Sequence, residues 1–218
     1  MKFNERNKYI YWIIILFFAL FIDFGANFLI DATRFIELSI IVLCWLVIFL
    51  MFVWYNSKNN LIFWVKFHFD KYFARFILCF CIIYIFLLFA RNGLFNIFLV
   101  SAWSNIKLNV VKEYYFYLFN VKDIRLFYMQ IMYYLLESAI VTCLIALFQE
   151  FGEKFRHKNL PWGAIGISLT WGLLHILTQG VFDGIFIIFI AFILGVAYQF
   201  CNKSTLFLYL LLLNVFFL

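Results

Sequence analysis

His175 stands at the end of Trp171-Gly172-Leu173-Leu174-His175, inside a hydrophobic run, and is one of three histidines in the chain. A titratable ring at membrane depth costs free energy unless it is paired, so it marks a site by default. The chain carries other polar residues in apolar surroundings: Glu137, the Gln149-Glu150 pair followed by Glu153 and Arg156, and Asn214 in a run of Leu and Phe. A carboxylate and a histidine in a low-dielectric cavity can share a proton and activate a water. A side-chain amide can then stabilise the oxyanion formed when that water attacks a carbonyl. Together they would make a hydrolase without a covalent intermediate. A serine-nucleophile route is weaker, because no G-x-S-x-G occurs and Ser168 and Thr170 lack a base arrangement. Zinc is weak too: HExxH is absent, and one deep histidine with one or two acids is no closed ligand set, so no metal or cofactor is expected.

The elements that must position these residues follow from composition. Hydrophobic residues make up 67% of the 218 positions, charged residues 13%, and proline occurs once. A soluble domain of this size could not hide so much apolar surface. Repeated apolar runs near twenty residues predict an all-α fold, a polytopic membrane helical bundle of about seven transmembrane helices. The expected spans are residues 9–30, 36–55, 73–90, 126–149, 161–179, 181–200 and 204–218, with 94–103 re-entrant or interfacial. The last span is short, and so is expected to start inside the bilayer or to pack in the interior.

Charge sets the orientation. With the N-terminus in the cytoplasm, eleven of the seventeen Lys and Arg residues fall on inner segments, and five of the other six share the long 91–125 loop. The basic start followed by an apolar run reads as an uncleaved signal-anchor. The +6 net charge does not indicate nucleic acid, since the basic residues lie singly between apolar runs. The partners expected are the lipid bilayer, a membrane-anchored peptide or protein substrate, and a membrane protein partner. The five cysteines have no CxxC spacing and read as small apolar core residues.

Composition shifts near residue 126. Residues 1–125 form a three-span region with a long loop, and 126–218 a four-span core holding nearly all the unusual polar residues. Within that core, Glu150 and Glu153 can pair along a helix with Lys154, Arg156 and His157, whose bland reading is a solvated helix end. Asn159 can cap the next helix, with Pro161 in its first turn. Ser168, Trp171, Gly172, His175, Thr178 and Gln179 then form one stripe. That stripe reads equally well as a packing face with one satisfied histidine. Asn214 can make an interhelical hydrogen bond, and Glu137 can bond a tyrosine or belong to the site.

The order of these features resembles the CPBP family, the CAAX-prenyl-protease and bacteriocin-processing membrane endopeptidases. Trp171 to His175 is similar to the family's Phe-x-x-x-His motif, and Pro161-Trp162-Gly163-Ala164 to the start of that helix. Residues 192–214 resemble its last hairpin. The resemblance covers roughly residues 130 to 218. It implies Glu150 as water-activating acid, His175 as its partner and Asn214 as oxyanion contact, with Glu153 and Arg156 in support. The first motif departs from paired acids, reading Gln149-Glu150, and Leu210 stands where the third motif has histidine. The implied function is intramembrane endopeptidase at a bacterial cell membrane. An inactive scaffold or regulatory subunit is the alternative. A transporter is less favoured, because no matching pair of broken helices occurs.

Overall fold

The computed structural model describes residues 2–29, 34–62, 69–91, 124–158 and 160–217. Among them every regular element is helical. In chain order these are α1 (Lys2–Leu29), α2 (Arg34–Asn59), α3 (Phe69–Arg91) and α4 (Ile124–Phe155). They continue with α5, α6 (Val181–Phe200) and α7 (Thr205–Phe217). The α5 rod is composite: Trp162–Ile167, a π-helical turn Ser168–Gly172, and Leu173–Gln179. The expected 94–103 segment and the Asn159 cap lie outside the described residues. Two helical stretches, Phe35–Asn59 and Arg125–Lys154, are long and apolar enough to cross a membrane. Those of α3, α5, α6 and α7 are apolar but shorter.

The core is built around α4. Its residues Ile140 to Leu147 are all buried, and it packs on α1, α2, α5 and α7. Hydrocarbon alone does not hold the first helices on. The Trp45 indole N–H of α2 donates to the Ala19 carbonyl of α1 at 2.6 Å, and its ring lies 4.8 Å from Tyr133 of α4. At one end, the Asn56 side chain closes the turn after α2. It donates to the Ile62 carbonyl at 3.0 Å and accepts from the Ile62 amide at 2.9 Å. Tyr9 donates to the Leu61 carbonyl at 3.1 Å and accepts from Lys154 of α4 at 3.2 Å. Each bond satisfies a polar group that burial would otherwise penalise.

α5 begins one residue later than expected, with Pro161 just outside as its N-cap. It ends at Gly180, whose φ of 101° is open to glycine and strained for other residues. α6 then runs back along α5 at very short range. A Cβ on Gly195 would lie 2.2 Å from Ala164 Cα, and one on Gly184 2.4 Å from the Ile176 amide nitrogen. Missing side chains on one helix let the backbone of the other approach, as small residues do in membrane helix pairs.

The corner between α6 and α7 is a Schellman arrangement. Asn202 N–H bonds the Gln199 carbonyl and Lys203 N–H bonds the Tyr198 carbonyl, with Asn202 at φ 55° and Lys203 at φ 58°. Ser204 then caps α7 by accepting from the Phe207 amide at 3.4 Å. α3 packs on this corner and on α7, with Phe76 stacked 4.7 Å from Phe207.

Candidate functional site

α4 and α5 run antiparallel, and their polar contacts fall at two levels. At one end, Gln149 accepts from the Gly163 amide at 2.9 Å and donates to the Leu160 carbonyl at 3.2 Å. Further along, the Trp171 indole N–H donates to Glu137 Oε1 at 3.1 Å, between side chains that are 1% and 6% exposed. The residues expected to act together divide between these two levels.

Glu150 and Glu153 belong to the first. α4 continues as helix to Phe155, so the two acids lie about one turn apart. Both face Lys203, which forms an ion pair with Glu153 and lies 3.5 Å from Glu150. Gln149 also donates to Glu153 at 2.6 Å. Partial burial works against the Lys203 charge, but the two carboxylates outweigh it and hold the ammonium above the ordinary lysine range. The expected pairing of Glu153 with Arg156 and His157 does not form, because the helix stops first. Arg156 is exposed and makes no side-chain ion pair among the described residues.

His175 belongs to the second level. It lies twelve residues beyond Gly163, about 18 Å along the rod at ordinary helical rise. The structure therefore does not bring Glu150 to His175. The acid it does bring near is Glu137. The His175 ring meets the Trp171 indole edge-on at 4.8 Å, and that same indole is bonded to Glu137. One indole separates carboxylate from imidazole. His175 Nδ1 lies 2.8 Å from the Trp171 carbonyl. A carbonyl can only accept, so Nδ1 carries a hydrogen, and in the neutral ring Nε2 then keeps its lone pair. Among the described residues no partner occupies Nε2.

Asn214 lies on α7 near that height, but on a different side of the helix from Phe216, since residues two apart do not share a face. Phe216, two residues on, lies 6.1 Å from Trp171 and stacks on Tyr134 at 5.3 Å. The Asn214 Nδ2 atom is buried with no protein partner among the described residues. Leu210, where the family resemblance would expect a histidine, is 41% exposed. The π-helical turn carries Ser168, Trp171 and Gly172, all buried, and wide turns of this kind recur at functional sites. Ser168 donates to the Ile188 carbonyl of α6 at 3.2 Å. The side chains of Thr178 and Gln179 lie outside the described residues.

The family resemblance, through its first motif, implies Glu150 as the acid. The signal for Glu137 was present but plain: one acid in the middle of a long apolar run. The arrangement offers a carboxylate, an imidazole whose Nε2 has no partner among the described residues, and, at a similar height on α7, an amide nitrogen without one. Among the described residues no cluster of three or more His, Cys, Asp and Glu side chains could hold a metal ion. No family model, no curated protein and no solved structure matches the chain.

Proposed function

We propose that the chain is an integral membrane protein whose seven helical rods cross or enter the bilayer, and that it acts as a divergent CPBP-type intramembrane endopeptidase. Large apolar side chains facing outward support the membrane reading. Leu43, Val47, Leu50 and Trp54 of α2 are each 55–60% exposed, and the shorter rods repeat the pattern with Leu169 and Leu177 of α5 and Phe189 of α6 at 61–67%. So much exposed hydrocarbon suits lipid and is unfavourable in water.

The observation that carries the catalytic reading is the Glu137–Trp171–His175 cluster at the depth of Asn214. In this reading His175 Nε2 takes the proton from an attacking water and Glu137 holds the charge balance of the site across the indole. The Asn214 amide donates to the oxyanion on a membrane-anchored peptide or protein substrate. Glu150, the acid implied by family resemblance, is replaced in that role by Glu137, and with Glu153 it anchors the α6–α7 corner through Lys203. The N-terminus lies in the cytoplasm, as the distribution of basic residues favours.

A second reading, a catalytically inactive scaffold or regulatory subunit of the same family type, is favoured by Leu210 and by the way Lys203 occupies both motif-one acids. The test is cleavage of candidate membrane-anchored peptides by purified protein in micelles. Glu137→Gln and His175→Ala should each lose about 100-fold or more, the usual scale for a missing proton-transfer group. Glu150→Gln should stay within a few-fold of wild type. Equal cleavage by all four proteins would overturn the assignment. No cleavage by any, with a membrane protein co-purifying from both wild type and His175→Ala, would establish the scaffold.

A further inference from the structure

Hydroxyls inside the helices of this chain mostly find a carbonyl. Ser39 donates to Phe35 at 2.7 Å, Ser57 to Trp54 at 2.7 Å and Thr170 to Gly166 at 2.8 Å, while Ser168 reaches Ile188 of α6. Ser138 and Thr142 of α4 depart from this habit. Neither hydroxyl has a hydrogen-bond partner among the described residues, although Ser138 is wholly buried and Thr142 is 3% exposed. A hydroxyl stranded in an apolar interior costs free energy, and hydrocarbon offers nothing to replace its lost bonds.

The two residues stand one helical turn apart on one stripe of α4. Tyr134 begins that stripe, four residues before Ser138, and stacks on Phe216 of α7 at 5.3 Å. Tyr209 of α7 reaches the same stretch, donating to the Leu135 carbonyl at 3.4 Å, which is long for a bond between oxygens. The stripe therefore lies under α7, whose Leu208, Leu211 and Leu212 are buried and apolar. Side chains one turn apart stand about 5–6 Å from one another at Cβ. Two O–H···O bonds of about 2.7 Å, laid end to end, span much the same distance. Glu137 lies about 100° round the helix from Ser138 and accepts from Trp171, so it brings no charge to this stripe. An ion held here would lack a counter-charge at membrane depth, whereas a small neutral donor and acceptor fits.

We propose that Ser138 and Thr142 hold one water molecule in the α4–α7 interface, with the Tyr209 hydroxyl as its third partner. Buried waters make about three bonds of this kind, each to a polar group that would otherwise go unsatisfied. One molecule then serves both hydroxyls and ties α7 to α4 at a level where the other contacts are apolar or aromatic. The site is separate from the Glu137–Trp171–His175 cluster and does not depend on the peptidase reading.

The experiment uses the full chain in detergent micelles, with methyl-labelled threonine and nuclear magnetic resonance. Wild type should show a nuclear Overhauser cross-peak between water and the Thr142 methyl, with the sign of a slowly exchanging internal molecule. Ser138→Ala should abolish it and Tyr209→Phe should weaken it. No cross-peak in wild type would overturn the proposal. A cross-peak that persists in Ser138→Ala would do the same, because it then reports only exchange of the Thr142 hydroxyl itself. Should Ser138→Ala fail to fold, Tyr209→Phe decides in its place, and an unchanged intensity there overturns the site. Stability supplies a second readout, through alkylation of Cys143, which is wholly buried in the folded state. Ser138→Ala and Thr142→Val should each raise the unfolding equilibrium constant about fivefold or more. The double variant should raise it by clearly less than the product, because both hydroxyls share one water. Single variants as stable as wild type would mean stranded hydroxyls, and effects that multiply would mean separate backbone bonds; either result refutes the shared water.

Discussion

The bond between Trp171 and Glu137 can be weighed by a double-mutant cycle. Its 3.1 Å separation is within the normal range for N–H···O, and both side chains are buried, so water cannot replace a lost partner. Glu137→Leu leaves the indole N–H unpaired, and Trp171→Phe leaves the carboxylate without that donor. The change at Glu137 should cost about 1–3 kcal/mol for the orphaned indole N–H, whereas Trp171→Phe takes from Glu137 one donor and leaves its other contacts. Trp171→Phe adds a cavity term for the smaller ring. Replacing both partners removes the bond without leaving either end stranded, so the double variant should be more stable than the two losses summed. The coupling should be about 0.5–1.5 kcal/mol if the acid is neutral and about 1.5–3 kcal/mol if it is ionised, so its size also reports the charge of Glu137. Unfolding in mixed micelles can be followed by alkylation of Cys143, which is wholly buried in the folded state. At the upper figure the coupling is more than a tenfold change in the unfolding equilibrium. Free energies that add to within about 0.5 kcal/mol would refute the claim that this contact organises the site.

The other predictions concern the frame. Lys203→Met should weaken the α6–α7 corner and change its response to alkali. The folded lysine titrates above its ordinary 10.5, so its stabilisation is complete below that pH and lost as the pH climbs through the higher folded value. The wild-type advantage over the variant in unfolding midpoint should therefore shrink above about pH 10.5, and a constant gap would contradict the pairing. Gly195→Ala should destabilise by about 1–3 kcal/mol in the same assay, because the added methyl meets backbone at Ala164 instead of a side chain that can turn away. Asn56→Ala should cost about 2 kcal/mol or more, since it strands both the amide and the carbonyl of buried Ile62; Asn56→Asp keeps only the acceptor and should fall between.

The all-α class was legible because two thirds of the chain is apolar in helix-length runs, and the expected sixth span coincides with α6. Local signals were read with partial success. Gly180 ends α5 and Ser204 caps α7, as these residue types favour, while Pro161 stands one position before the first turn in which it was expected. Pairings across long stretches were not legible. Glu153 could be matched in sequence only with nearby cations, whereas Lys203 reaches it across fifty residues through a turn set by Asn202. The same limit hid the bond that Glu137 accepts from Trp171, 34 positions away. Nor could a 3.6-residue pattern announce the π-helical turn, which departs from that pattern by construction.

That turn also makes the number of residues in α5 matter independently of their identity. A π turn holds one residue more than an α turn, so everything after it is rotated by about 100° relative to an unbroken α-helix. Ser168 to Gly172 therefore work as an indexing joint between the half of α5 that docks on Gln149 and the half that carries His175. A point substitution there changes one contact. A single-residue deletion that restores plain α-helix would turn His175 to another side of the rod and leave both halves otherwise intact. Length variation at this joint is a way for the same bundle to gain or lose the proposed histidine site in one step.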